Sequence, residues 1–107
     1  MIEYKFYKNE IGTPQFSIGG NLEVLSELGS CNLDYLNEII SSLEDVLSGK
    51  LEQYDFGYEI LSIESRQENS NIVDTYNDWK TIAEVPTSEI YNLMKDWRSY
   101  LEKHSTT

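Results

Sequence analysis

The alternation of apolar and polar residues near the N-terminus predicts two short β-strands. Residues 2–8 alternate with period two and are rich in Ile, Tyr and Phe, which favour strands. Residues 12–14, Gly-Thr-Pro, interrupt this pattern, and residues 15–18 resume it. Residues 21–29 fit a strand, a short helical turn or a loop, so the sequence leaves their structure open.

The clearest helix is predicted from about Leu33 to Ser48. Asn32 suits the N-cap position because its side-chain oxygen can accept a hydrogen bond from an unpaired amide of the first turn. Gly49 suits the end of the helix because glycine adopts the left-handed conformation at low cost. The helix carries one apolar stripe, which consists of Leu33, Leu36, Ile40, Leu43 and Leu47.

A second group of strands is predicted after this helix. Residues 54–63 alternate as one long half-buried strand, and a change of phase at Ile60–Leu61 predicts a β-bulge or a local twist there. Residues 68–71, Glu-Asn-Ser-Asn, are typical of a turn. They predict a hairpin that leads into a strand over residues 72–76.

The C-terminal part of the chain predicts one more strand and a second helix. The strand covers residues 79–85, with Trp79 and Ile82 as its apolar anchors. Thr87 is the candidate N-cap of the helix, and residues 104–107 are predicted to fray. The apolar face of this helix consists of Ile90, Leu93, Met94, Trp97 and Leu101.

These elements predict an α+β protein that forms a single domain over residues 1–107. An antiparallel sheet of about four to five strands is expected, with two helices packed on one face in the order ββ-α-ββ(β)-α. The chain is 39% hydrophobic and 12% aromatic, which is too apolar for a disordered protein of this length. One folded core is therefore expected.

Cysteine content and hydropathy indicate the compartment. The chain has one cysteine, Cys31, so it has no internal disulfide, as is typical of a reducing environment. No apolar stretch approaches the roughly 20 residues of a membrane helix. The alternating N-terminus differs from a signal peptide. The sequence therefore predicts a soluble protein of the bacterial or eukaryotic cytosol that does not bind membranes.

Negative charge is concentrated in the middle of the chain. Lys50 and Arg66 are outnumbered by nine acidic residues within residues 33–69, so this segment carries −7 of the net charge of −11. This charge repels nucleic acids and attracts basic partners. Because a helix turns by 100° per residue, three acids of the first helix fall within about 40° of one another, on a ridge roughly 16 Å long. These acids are Asp34, Glu38 and Asp45.

Two more acids and one aromatic residue extend this candidate surface. Asp55 and Glu59 project from the strand face opposite its aromatic residues. Tyr35 lies off the apolar stripe beside the ridge, which makes it the candidate aromatic anchor for a partner. Solubility alone can explain a charged helix face. Like charges at positions i and i+4 nevertheless destabilise a helix, so their retention favours a binding role.

Catalytic and metal-binding patterns are weak in this sequence. The single histidine, His104, lies at the predicted frayed end, and no calcium-loop or phosphate-loop motif is present. Asp55 and Glu59 on an open strand are expected to stay ionised and solvated. We therefore expect no catalytic residues, no metal and no cofactor, and the protein is not expected to be an enzyme.

Three segments resemble small acidic immunity proteins of bacterial contact-dependent growth inhibition and related polymorphic toxin systems. The segments are Tyr54–Ile60, Ser62–Glu64 and Val85–Trp97. The resemblance covers about half of the chain, and its motifs are mainly structural. It implies a protein of the bacterial cytoplasm that neutralises a cognate basic toxin domain, typically a nuclease, by stoichiometric binding.

The resemblance and the charge together predict a toxin-binding surface. Its six residues are Asp34, Tyr35, Glu38, Asp45, Asp55 and Glu59. The protein is expected to act as a monomer or weak dimer and to make no direct contact with nucleic acid. The alternative function is an acidic binding or regulatory module for another partner, as an adaptor or a DNA-mimicking inhibitor.

Overall fold

The computed structural model describes residues 3–18, 25, 28–29, 32–58, 61–76 and 78–104. Two helices and six strands lie within these ranges and confirm the α+β class in the order ββ-α-ββββ-α. The elements are β1 (Tyr4–Lys8), β2 (Pro14–Ile18), α1 (Leu33–Leu47), β3 (Gln53–Tyr58), β4 (Leu61–Arg66), β5 (Asn69–Asp74), β6 (Lys80–Pro86) and α2 (Thr87–His104). Of residues 104–107, which the sequence predicts to fray, His104 is the last residue of α2, and residues 105–107 lie outside the described ranges.

The strands form two antiparallel sheets. β1 pairs with β2 alone, while the other four form a meander in the order β3-β4-β5-β6. α1 packs against β3 and β4, α2 packs against β5 and β6, and the two helices contact each other. The four-stranded sheet therefore has one face covered by the helices.

The core lies between the helices and this sheet. Ile63 and Ile72 face each other at the sheet centre, and both are fully buried. Leu25 and Leu28, from the segment whose structure the sequence left open, are also buried in this core. Removing a leucine of this kind from water contributes about 1.5–3 kcal/mol to folding.

An aromatic cluster fixes the β1–β2 hairpin to α2. The Phe16 and Phe6 ring centroids lie 4.9 and 5.5 Å from that of Trp97, which is completely buried. These separations are typical of favourable aromatic pairs. The tyrosine hydroxyl of Tyr4 also donates a hydrogen bond to Asp96 of α2. The two-stranded sheet is therefore attached through side chains and shares no strand pairing with the larger sheet.

The ends of α1 confirm the prediction, but its buried face is wider than the predicted stripe. The Asn32 side chain accepts a hydrogen bond of 2.8 Å from the Tyr35 amide, and Gly49 has a φ of +88°. Leu33 is 46% exposed, so its assignment to the apolar stripe was wrong. Ile39 is buried in its place because α1 contacts α2 as well as the sheet.

The phase change near Leu61 marks a hairpin, so the predicted bulge or twist within one long strand was wrong. Tyr58 pairs directly with Leu61, and the chain returns as β4. Reversal of the chain explains why the apolar pattern restarts at Leu61. Gly57 is required for this close return, since a Cβ atom at this position would lie 2.1 Å from the Leu61 carbonyl oxygen.

The strand predicted to start at Trp79 starts at Lys80, and Trp79 does not anchor it in the core. Trp79 lies in the preceding turn and is 63% exposed. Ile82 does pack against the core, as predicted. A register shift between Ile72 and Val73 in the pairing of β5 with β6 accounts for the irregular alternation in this region.

Three buried hydroxyl groups connect the start of α2 to the β4–β5 hairpin. The Ser70 hydroxyl lies 2.7 Å from that of Ser65 and 2.8 Å from that of Thr87. Thr87 also donates to the Arg66 carbonyl oxygen. The helix begins at Thr87, as predicted, and the side chain of this residue joins the helix start to the β4–β5 hairpin.

Candidate protein-binding surface

The helical acids lie on one solvent-facing line, which we call the α1 ridge and define as Asp34, Glu38 and Asp45. Asp34 and Glu38 are exposed and Asp45 is half-buried. All three lie on the side of α1 opposite its buried residues Leu36 and Leu43. The predicted clustering of these helical acids is therefore present in the fold.

The carboxylates of the α1 ridge have no ion-pair partner in the described part of the chain. No lysine or arginine nitrogen of the described residues lies within 4.0 Å of them, whereas Arg98 and Glu102 of α2 form such a pair at 4.0 Å. Unpaired carboxylates leave a negative field that a basic partner can neutralise.

The field of the ridge reaches the neighbouring edge strand β3. Burial raises the pKa of the Tyr54 hydroxyl. A hydrogen bond from Ser42 lowers this pKa, and the negative charge of Glu38 raises it. Glu38 is therefore close enough to influence a group on β3.

Tyr35 lies beside the ridge, but its hydroxyl group is held inside the protein. This hydroxyl donates to the Gly57 carbonyl oxygen at 2.9 Å and accepts from the Gly57 amide at 3.1 Å. The residue is half-buried because this flank of α1 faces β3. A partner can therefore reach part of the ring, while the hydroxyl serves the fold.

Asp55 lies on a different side of the molecule from the α1 ridge. Phe56 points into the core beneath α1 and is 4% exposed. Because side chains alternate along a strand, the adjacent Asp55 projects from the uncovered face of the sheet. The six predicted residues therefore do not form one continuous surface. Glu59, the remaining predicted residue, lies outside the described residues.

Asp55 instead belongs to a row of polar residues across the uncovered face, which we call the sheet row. Successive cross-strand pairs align Asp55 with Glu64, Glu64 with Asn71, and Asn71 with Glu84. Neighbouring strands are about 4.8 Å apart. The row therefore places three carboxylates close together. Sequence reasoning did not find it because the strand register was needed to align these positions.

Two hydrogen bonds through Gln53 connect Asp55 of the sheet row to the positively charged Arg66. The Gln53 amide nitrogen donates to Asp55 at 2.6 Å, and the Gln53 oxygen accepts from the Arg66 guanidinium at 3.0 Å. Directly opposed like charges such as Asp55 and Glu64 destabilise a sheet. The hydrogen bonds through Gln53 link Asp55 to a positive charge. The sheet row is thus more internally compensated than the α1 ridge.

A shallow depression lies at the end of the sheet row. Its volume is about 560 Å³, and it is open to solvent. Charged and polar residues of both signs line it, including Glu52, Arg66, Asn71 and Glu84. Small-molecule sites are usually enclosed and largely apolar, so this depression has a different character.

Metal-binding clusters and membrane-spanning helices are both absent from the described ranges. No group of three or more His, Cys, Asp or Glu residues in these ranges is arranged to hold a metal ion. None of the helices in the same ranges is long and apolar enough to span a membrane.

The comparisons with known proteins identify no similar protein. Neither a scan against known protein families nor searches of curated proteins and solved structures find a match to this chain. The resemblance to immunity proteins therefore stays a prediction that rests on the three sequence segments.

Proposed function

We propose that this protein is an immunity protein that binds and neutralises a cognate basic toxin domain of a bacterial polymorphic toxin system. The α1 ridge is the proposed binding surface, and the toxin domain is proposed to be a nuclease. The observation that carries the proposal is the absence of basic partners from the ridge within the described residues. The unpaired carboxylates match the basic surface that a nuclease uses for nucleic acid.

The proposed mechanism requires binding and no chemistry. The negative field of Asp34, Glu38 and Asp45 accelerates encounter with a basic surface. Contacts formed after encounter slow dissociation and cover the nucleic-acid-binding surface of the toxin. One inhibitor molecule then blocks one toxin molecule.

The positions of the acids favour this proposal over a DNA mimic. A mimic needs carboxylates spaced along one elongated face, in the manner of phosphates. Here the α1 ridge and the sheet row lie on different sides of a molecule that measures 38 × 30 × 24 Å. An adaptor for another basic partner is the remaining alternative. Co-expression with the candidate toxin separates an adaptor from an inhibitor, because only an inhibitor protects the cells.

The test uses the product of the neighbouring open reading frame as the candidate toxin. We expect co-expression of the full chain to restore growth of cells that produce this polypeptide, and the two proteins to purify as a one-to-one complex. The double variant Glu38→Lys/Asp45→Lys should associate about tenfold more slowly at low salt, with a smaller difference at high salt.

A matched control separates the α1 ridge from net charge. Glu3→Lys/Glu10→Lys makes the same charge change at exposed positions of the β1–β2 region. This variant should associate nearly as fast as the wild type. Equal slowing by both double variants would remove the ridge from the proposal. Complex formation without protection of the cells would identify an adaptor instead of an inhibitor.

A further inference from the structure

The turn between β5 and β6 exposes two large aromatic side chains, and we call it the aromatic turn, defined by Tyr76 and Trp79. Tyr76 is 79% exposed and Trp79 is 63% exposed. The other tryptophan, Trp97, is completely buried. Exposure of two large rings in one short turn leaves apolar surface in water that folding does not use.

The backbone of the aromatic turn adopts a conformation that tryptophan disfavours. Asp78 and Trp79 have φ values of 56° and 57°. Aspartate tolerates this left-handed region, but a bulky residue there costs about 1–2 kcal/mol. Glycine or asparagine would satisfy the turn more easily. Trp79 therefore occupies a position that neither its backbone preference nor its burial explains.

Pairing and hydrogen bonding hold the aromatic turn in place. Asp74, the last residue of β5, pairs with Lys80, the first residue of β6, so the two strands are paired up to the turn. The Asp74 carboxylate also accepts a hydrogen bond of 2.9 Å from the Tyr76 amide. The described residues on both sides of the turn are thus tied to the sheet, which lowers the entropy lost when a partner binds.

The charges around the aromatic turn indicate the chemistry of its partner. Asp74 and Asp78 flank the rings, and Lys80 offsets one of these charges. The net charge of −11 further favours a cationic partner. Tryptophan and tyrosine rings bind guanidinium groups by stacking and by cation–π attraction, and they are frequent at the energetic centres of protein interfaces.

We propose that the aromatic turn is a docking site for an arginine-bearing segment of another protein. An arginine guanidinium stacks on Trp79 or Tyr76 while it faces the carboxylate of Asp78. This site belongs to a different element from the α1 ridge, so the inference goes beyond the proposed function and does not depend on the identity of a toxin.

The test follows the two indole N–H signals by NMR during titration with a hexaarginine peptide. At about 0.15 M ionic strength, unspecific attraction is partly screened. We expect the Trp79 signal to shift, while the signal of the buried Trp97 indole stays in place. A hexalysine peptide of equal charge should bind roughly three- to fivefold more weakly, because lysine lacks the planar group that stacks.

Two variants remove the rings without disturbing the backbone. Trp79→Asn introduces a residue that accepts a positive φ, and Tyr76→Ser introduces a small residue that is common in turns. Each should weaken hexaarginine binding roughly three- to fivefold, measured by isothermal titration calorimetry because Trp79→Asn removes the indole signal. The control Ile11→Asn removes an apolar side chain that is 86% exposed in the β1–β2 turn, and it should leave binding unchanged.

Several outcomes would overturn the proposal. One is equal binding of the two peptides, and another is unchanged hexaarginine binding by Trp79→Asn. A shift of the Trp79 signal with protein concentration alone would assign the aromatic turn to self-association. A shift on addition of phosphatidylcholine vesicles, without a response to hexaarginine, would assign it to a lipid surface.

Discussion

The hydroxyl group of Tyr35 makes two hydrogen bonds to the backbone of Gly57, one to its amide and one to its carbonyl oxygen. β3 is an edge strand of the described sheet, so the outward-facing groups of Gly57 have no neighbouring strand to pair with among the described residues. The Tyr35 hydroxyl therefore provides the hydrogen-bond donor and acceptor that the backbone of an additional strand would provide. This contact also protects the edge from pairing with another chain.

We expect Tyr35→Phe to lower the free energy of unfolding by about 1–2 kcal/mol, because two backbone groups lose their partner. Urea denaturation should show a lower midpoint with an unchanged slope. Tyr7→Phe is the matched control, since among the described residues the Tyr7 hydroxyl bonds only to the Gln15 side chain, in a contact that is exposed to solvent. A similar loss in both variants would show that the Gly57 contact has no special weight.

Gly57→Ala should be much more destabilising than its size suggests. The added Cβ atom would lie 2.1 Å from the Leu61 carbonyl oxygen, so the β3–β4 hairpin must open or shift. We expect a loss of at least about 2–3 kcal/mol, comparable with other overpacked sites. Gly12→Ala provides the comparison, because a Cβ there meets nothing within 4 Å and only its φ of +84° causes strain. If thermal denaturation ranked Gly12→Ala as the worse variant, the close approach at Gly57 would be refuted.

Thr87→Val tests the buried hydroxyl network at the start of α2. The substitution keeps the side-chain shape but leaves the Ser70 hydroxyl and the Arg66 carbonyl oxygen without this partner. We expect a loss of about 1–3 kcal/mol in urea denaturation. Thr81→Val, at an exposed position of β6, should change stability by less than about 0.5 kcal/mol. A double variant with Ser70→Ala should lose less than the sum of the single changes, since both remove one network.

The raised pKa of the Tyr4 hydroxyl predicts that the protein loses stability at alkaline pH. Burial, together with the hydrogen bond to Asp96 and its negative charge, raises the pKa of Tyr4 from 10.0 to about 12. The unfolded chain therefore releases this proton first. The stabilising contribution is complete below about pH 10 and is lost as the pH rises toward 12.

Urea denaturation at a series of pH values across this window checks the linkage. The free energy of unfolding should fall less steeply for Tyr4→Phe than for the wild type. Asp96→Asn should give an intermediate slope, because it removes the charge of Asp96 and leaves the burial of Tyr4 unchanged. Indistinguishable slopes for wild type and Tyr4→Phe would contradict the raised pKa.

The candidate site could be predicted from the sequence only in part. Helical periodicity depends on residues a few positions apart, so the ridge of Asp34, Glu38 and Asp45 follows from spacing alone. The separation of Asp55 from this ridge follows from which face of β3 the helices cover. That choice depends on contacts between distant parts of the chain, and the same contacts place the Tyr35 hydroxyl on Gly57.

The type and position of most elements were determined by the sequence itself. Alternation, the apolar stripe and the caps at Asn32 and Gly49 act over one or two turns of backbone, so α1 and the hairpin β1–β2 could be predicted locally. The concentration of negative charge in residues 33–69 was likewise fixed by composition.

Tertiary structure alone decided how these elements are paired and which side chains reach solvent. A change of phase is compatible with both a bulge and a reversal, and only the pairing of Tyr58 with Leu61 distinguishes them. An apolar residue such as Trp79 has no local signal for exposure, because burial depends on what packs against it. Strand register likewise aligned Asp55 with Glu64, since hydrogen bonds between strands join positions that the linear pattern cannot relate.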